Sequence, residues 1–206
     1  LEGAFSELYW GHMKKIGKVL LRSYFARPTL DVARSLIGKY LVRENGGGSI
    51  AGRIIEVEAY VGPEDKACHA SKGRTQRTDV LFGPAGMAYV YLIYGMYHCL
   101  NVVTESEGFP AAVLIRAIEV DGRLIDGPGR LCRELEIDRT LNRQDLTVGE
   151  VLWFEDRNGT SMMAAGAFPR IGVDYAGLWA QKLWRFRLPT GKEAVRKGGP
   201  RRRKLK

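Results

Sequence analysis

Tyr40-Leu-Val-Arg-Glu-Asn-Gly-Gly-Gly-Ser-Ile-Ala-Gly-Arg-Ile-Ile-Glu-Val-Glu-Ala-Tyr60 is the stretch on which the fold turns. Tyr40–Arg43 reads as a short strand, Gly46-Gly47-Gly48 as a polar turn, and Ser49–Tyr60 as the returning strand of a hairpin. Side chains alternate across a strand, so Ile55, Val57 and Ala59 fall on one face and Glu56, Glu58 and Tyr60 on the other. Two carboxylates and a phenol on one face are either a solvated surface or an acid–base group beside an aromatic wall, the arrangement that cleaves glycosidic bonds.

Working outward, Thr29–Gly38 reads as a helix with Thr29 at its N-cap, Asp31 in the first turn and Gly38 as its stop. Lys14–Tyr24 reads as a further short helix. Downstream, residues 61–86 form a stretch rich in Gly, Pro and charge. It is too long for a plain connection, and such loops carry function. Ala88–Ile93 and Tyr97–Thr104 flank Tyr94-Gly95-Met96 as a second hairpin. Ala111–Ile118 is a buried strand, Gly127-Pro128 opens a helix to Leu135, and Leu152–Phe154 and Ile171–Val173 read as strands. No repeat is present. Strands joined mostly by hairpins predict an α+β fold: a single domain with a mainly antiparallel curved sheet, flanking helices and a protruding β-hairpin. That domain spans 13–190. Residues 1–12 read as a vector-derived or disordered leader, and residues 191–206 as a flexible basic tail.

Hydrophobic residues make up 45% of the 206 and charged residues 27%, the composition of a folded domain. The 32 Lys+Arg against 23 Asp+Glu leave +9, which points to a polyanionic partner, nucleic acid before membrane, or else only aids solubility. Cys68, Cys99 and Cys132 are odd in number and lack zinc-finger spacing, which suits reduced thiols in a cytosolic protein. No apolar run approaches the ~20 residues of a membrane span, and no secretory leader is visible. Neither a metal nor another cofactor is expected.

Several residues stand out as candidates. His69 sits in the long loop without metal-ligating neighbours. Tyr89, Tyr91, Tyr94 and Tyr97, with Met96 and His98, crowd into ten residues. Tyr89 and Tyr91 share a face, and Tyr89 reads as packing. Tyr94 and Met96 stand at a hairpin tip, where apolar side chains can wedge into a base stack. Arg116 interrupts the apolar run 111–118, so it needs an anion. That partner is Glu119 or Glu56 in a structural pair, or else a phosphate or a catalytic carboxylate.

These residues fall within a set of ordered motifs. Ile54-Ile-Glu-Val-Glu-Ala-Tyr60, Gly73-Arg-Thr-Gln-Arg-Thr78, Phe82-Gly-Pro-Ala-Gly86, Tyr89-Val-Tyr-Leu-Ile-Tyr-Gly-Met96, Cys99-Leu-Asn101, Gly127-Pro-Gly-Arg-Leu-Cys132 and Pro169-Arg-Ile-Gly-Val173 with Tyr175-Ala-Gly177 occur with compatible spacing. Together they resemble the alkyladenine (3-methyladenine) DNA glycosylases of the single-domain purine type, from about Phe25 to Arg187. The resemblance implies a monofunctional enzyme without lyase activity. It flips alkylated or deaminated purines from duplex DNA and hydrolyses the N-glycosidic bond with an activated water.

Glu58 matches the family's general base, and Arg116 and the backbone carbonyl of Ile171 match the supports of its water. Tyr60, His69 and Tyr91 match the base pocket, Asn101 the residue that discourages guanine, and Tyr94 the inserted wedge, with Met96 beside it. Departures are Gln76 and Leu183 where the family has proline, the order Tyr97-His98, and the short link Val120–Asp126. The implied partner is double-stranded DNA containing damaged purines, with no membrane and no obligate protein partner, acting as a monomer. The implied location is the cytoplasm, at the nucleoid, or the nucleus in a eukaryote. The competing reading is a non-catalytic damaged-DNA binding module, and a weaker one an RNA-binding or RNA-modifying protein.

Overall fold

A computed structural model of the chain describes residues 17–157 and 165–189. The leader and the basic tail lie outside the described residues. The strands, in chain order, are β1 (Lys18–Val19), β2 (Tyr40–Glu44), β3 (Ser49–Val61), β4 (Ala88–Ile93), β5 (Tyr97–Val103), β6 (Ala111–Val120), β7 (Arg123–Asp126), β8 (Leu152–Asp156), β9 (Gly166–Phe168) and β10 (Arg185–Arg187). The α-helices are α1 (Arg22–Phe25), α2 (Thr29–Leu36) and α3 (Pro128–Glu134).

All pairings are antiparallel, and the spine of the sheet runs β1-β8-β2-β3-β6-β5-β4. The long strand β3 is its organising element. One edge of β3 takes β2 along its first half and β10 along its second, and the other edge takes β6. The expected α+β single domain, with its antiparallel sheet and both hairpins, is therefore present.

The core follows from periodicity. Thr29, Val32, Ala33 and Leu36 recur at helical spacing, and α2 lays this buried stripe against β3 and β6. The helix begins at Thr29 rather than being capped by it. The Glu105 carboxylate, brought from the β5–β6 connection, accepts from the Thr29 N–H at 2.6 Å and from its hydroxyl at 2.8 Å. A tertiary carboxylate thus satisfies the helix N-terminus that the sequence assigned to a local cap. The helix expected over Lys14–Tyr24 is also displaced. Lys18–Val19 pairs with β8, and helix begins only at Arg22, where the backbone leaves the sheet edge.

Two further differences matter for the site. The β3–β6 register shifts on both sides of Glu56, a bulge that turns Ile55 away from its expected companions. Ile54, Val57 and Ala59 enter the main core, and Ile55 packs separately with Ala117 and Leu188. The short link after β6 is itself structured. Asp121 and Gly122 take positive φ (48° and 77°), a two-residue turn that reverses β6 directly into β7.

Candidate active site

β3 carries Glu58 and Tyr60 on one face, and its antiparallel neighbour β6 places Arg116 beside them. The 61–86 loop delivers His69, β4 delivers Tyr89 and Tyr91, β5 delivers Asn101, and the 169–173 segment delivers Ile171. These side chains, except Glu58, line one cavity of about 670 Å³, within the range of small-molecule sites. Tyr94 stands at its edge.

Glu58 lies immediately behind that lining, with 0% exposure. Its Oε1 accepts from the Ile171 N–H at 2.8 Å, and its Oε2 accepts from the Tyr60 hydroxyl at 2.8 Å. The Arg116 guanidinium stands 3.4 Å from the same Oε2. All three partners face the cavity, so Glu58 meets it through them. Ile171–Val173 is not the expected strand. Gly172 takes a φ of +74°, open to glycine without strain, and this bend lets the Ile171 N–H donate to a carboxylate rather than to a strand neighbour.

Burial raises the Glu58 pKa, and it outweighs the opposing pull of Arg116, the Ile171 N–H and the Tyr60 hydroxyl. Burial and the adjacent Glu58 hold the Tyr60 hydroxyl well above the usual phenol value, so it remains a donor. Burial opposes the charge on Arg116, but Glu58 and Glu56 outweigh it and keep the guanidinium charged. The expected alternatives for Arg116 resolve toward both inner carboxylates: it also reaches Glu56 at 3.1 Å, whereas Glu119 pairs with Arg53.

Aromatic groups form the opposite wall. His69 packs edge-on against Tyr91 with ring centroids 4.7 Å apart, and its Nδ1 lies 2.9 Å from the Tyr89 hydroxyl. Burial, with Arg77 and Lys72 nearby, lowers His69 to about 4, so the ring is neutral near pH 7. Asn101 donates to the Tyr89 carbonyl at 3.1 Å and is fixed in the cavity wall. Cys68 and Cys99 also line the cavity, and all three cysteines are free and buried. Among the described residues, no three His, Cys, Asp or Glu side chains converge as metal ligands would.

At the hairpin tip, Tyr94 and Met96 are 81% and 67% exposed. Tyr94 takes a φ of +53°, a region that a bulky residue enters only at a cost of about 1–3 kcal/mol. The fold thus holds a large apolar ring in solvent, in a strained turn, beside the cavity.

A model of the methylpurine-DNA glycosylase family matches residues 23–192. The chain belongs to that family. Similar proteins include ones named "Putative 3-methyladenine DNA glycosylase" from two organisms. The one from Methanocella arvoryzae is 52% identical over 184 residues, covering 82% of this chain and 91% of that protein. The one from Myxococcus xanthus is 50% identical over 190 residues, covering 90% and 97%. The family match includes every motif that carried the resemblance.

Sequence reasoning missed one piece of this site. Arg170 and Asp65 form a fully buried two-bonded pair at 2.6 and 2.8 Å. Asp65 also accepts from the Val61 and Ala67 N–H groups, and Arg170 donates to the Ala59 and Trp179 carbonyls. The pair ties the loop after Tyr60 to the residue before Ile171. Its members lie 105 positions apart, and no local pattern joins them.

Proposed function

We propose that this protein is a monofunctional DNA glycosylase that takes an alkylated or deaminated purine out of duplex DNA and hydrolyses its N-glycosidic bond. The observation that carries this reading is the buried Glu58, held by Tyr60, Arg116 and the Ile171 N–H at the back of an aromatic cavity with an exposed tyrosine at its edge.

The extruded base stacks among Tyr60, Tyr91 and His69, while Tyr94, with Met96 beside it, fills the vacated space in the duplex. Flipping costs a few kcal/mol, less for a damaged or mispaired base, and an inserted ring restores part of the lost stacking. As the bond between C1′ and the base nitrogen breaks, its electron pair leaves with the purine and positive charge develops on the sugar. The Glu58 carboxylate stabilises that charge. Water adds to C1′ and gives its proton to Glu58, leaving an abasic site; a base that was cationic in the duplex departs neutral, and a neutral one departs as the anion and takes a proton from solvent. Arg116 and the Ile171 carbonyl orient this water, and Asn101 disfavours the 2-amino group of guanine. Among the described residues no lysine lines the cavity, which supports hydrolysis that leaves the strand intact. The protein acts as a monomer wherever the DNA is, in the nucleoid or the nucleus.

One observation favours the rival reading of a damage-binding module: Glu58 is sealed from solvent and both its oxygens are engaged. The two readings separate in a metal-free incubation with duplexes carrying hypoxanthine or N3-methyladenine. The glycosylase releases free base and leaves alkali-sensitive sites; binding without release supports the module.

A further inference from the structure

Each of the two phenol rings assigned to the base seat has a guanidinium packed on it, and neither guanidinium lines the cavity. The Arg170 Cζ lies 4.7 Å from the Tyr60 ring centroid, and the Arg77 Cζ lies 5.2 Å from that of Tyr91. The two differ in what balances them. Arg170 is paired with buried Asp65, so the charge behind Tyr60 closes to zero. Arg77 is exposed and has no carboxylate partner among the described residues; Asp79, two positions on, is taken by Arg74 and Arg143. One guanidinium without a carboxylate partner therefore stands against the Tyr91 ring.

We propose that Arg77 shifts the preference of the cavity toward neutral purines over cationic ones, adding to the guanidinium groups of Arg130 and Arg133 that line the cavity itself. This inference rests on the reading of the cavity as the seat of a flipped purine. A cation bound to one face of a ring draws on the same π-electron density that would attract a cation on the other face, and its charge acts through the thin ring. A neutral purine such as hypoxanthine loses nothing by this, whereas a base carrying a full positive charge, such as N3-methylated adenine in DNA, meets the field directly. His69, edge-on to Tyr91 at the same wall, already responds to this field: Arg77 and Lys72 add to burial in keeping it uncharged. Arg77 touches no reacting atom, so it is a specificity-determining residue and not a catalytic one.

The test compares single-turnover release of hypoxanthine and of N3-methyladenine from duplexes of one sequence by wild type, Arg77→Gln and Arg77→Lys. Arg77→Gln is expected to raise the ratio of cationic to neutral base released by about three- to tenfold, with Arg77→Lys staying near the wild-type ratio. If Arg77→Gln slows both releases in equal proportion, Arg77 serves only as a DNA phosphate contact and the inference is overturned. Thermal melting of each variant checks that the exposed substitution leaves the fold intact. Should wild type release neither base, the glycosylase reading fails by itself. The Kd ratio of the two lesion duplexes, measured in Glu58→Gln with and without Arg77→Gln, then decides the charge preference without turnover.

Discussion

Glu56 and Glu58 leave the same strand on the same side, two residues apart, and both are cut off from water, yet they sit in opposite kinds of nest. Glu56 is saturated with guanidinium: Arg116 at 3.1 Å, Arg185 at 3.0 Å and Arg187 in close contact, with Asp126 balancing Arg187 at 3.1 Å. Glu58 has only a share of Arg116, plus a phenol and one amide. Burial wins at Glu58 and raises its affinity for protons. A carboxylate locked by several cations holds strands together, and one with too little compensation stays ready to take a proton. The bulge at Ile55 and the arrival of β10 create this difference, since Arg187 sits opposite Glu56 on that strand and Arg185, opposite Glu58 in register, sends its guanidinium to Glu56.

Exchanging each carboxylate for its amide separates the two nests most sharply. Glu58→Gln is expected to reduce base release by about 10²–10⁴-fold in single-turnover assays. It should leave duplex binding in place and the melting temperature within a few degrees, because an amide can keep the Ile171 and Tyr60 contacts. Unchanged release would remove Glu58 from its assigned role. Glu56→Gln is expected to do the reverse. Leaving three guanidinium groups short of a charge costs about 3–5 kcal/mol, or on the order of 10 °C in melting temperature, with release by the remaining folded protein largely kept. Equal loss of release in both variants at full folding would dissolve the distinction.

Tyr94→Ala tests the exposed tip against the enclosed carboxylates. Release from duplex DNA should fall by about ten- to a hundredfold, corresponding to a stacking contribution of about 1–3 kcal/mol. The melting temperature should hold within a few degrees, because the ring is 81% exposed and alanine keeps the same Cβ in the left-handed turn. A substantial loss of stability would mean that Tyr94 packs rather than inserts.

The smallest effect concerns pH. In the proposed reaction Glu58 must be ionised to take the proton, and its folded pKa is raised, so release should climb with pH through a limb lying above the ordinary glutamate value of 4.5. Tyr60→Phe removes a hydrogen bond that favours the ionised form, so that limb should move to still higher pH. An acid limb at or below 4.5 in wild type would contradict the nest described for Glu58.

The amino-acid sequence by itself determined the hairpins, the antiparallel α+β class, the exposed Tyr94–Met96 tip and the family, because these rest on local alternation, turn chemistry and motif order. It also placed Glu58 with Tyr60, since i and i+2 on a strand must share a face. Its errors came where a distant group intervened: Glu105 took over the capping of α2, the register shift redirected Ile55, and the Glu58 carboxylate drew Ile171 out of an expected strand. The Asp121-Gly122 turn was legible as a hairpin signal, but the link was read only for its shortness.

Only the tertiary structure decided which carboxylate receives the arginines, that Asp65 and Arg170 lock two remote loops together, and that one guanidinium packed on the aromatic rings is paired with a carboxylate and the other is not. The physical reason is range. Backbone geometry repeats every two or four residues and is written locally, whereas desolvation and charge compensation depend on which side chains the sheet brings within a few ångströms from opposite ends of the chain.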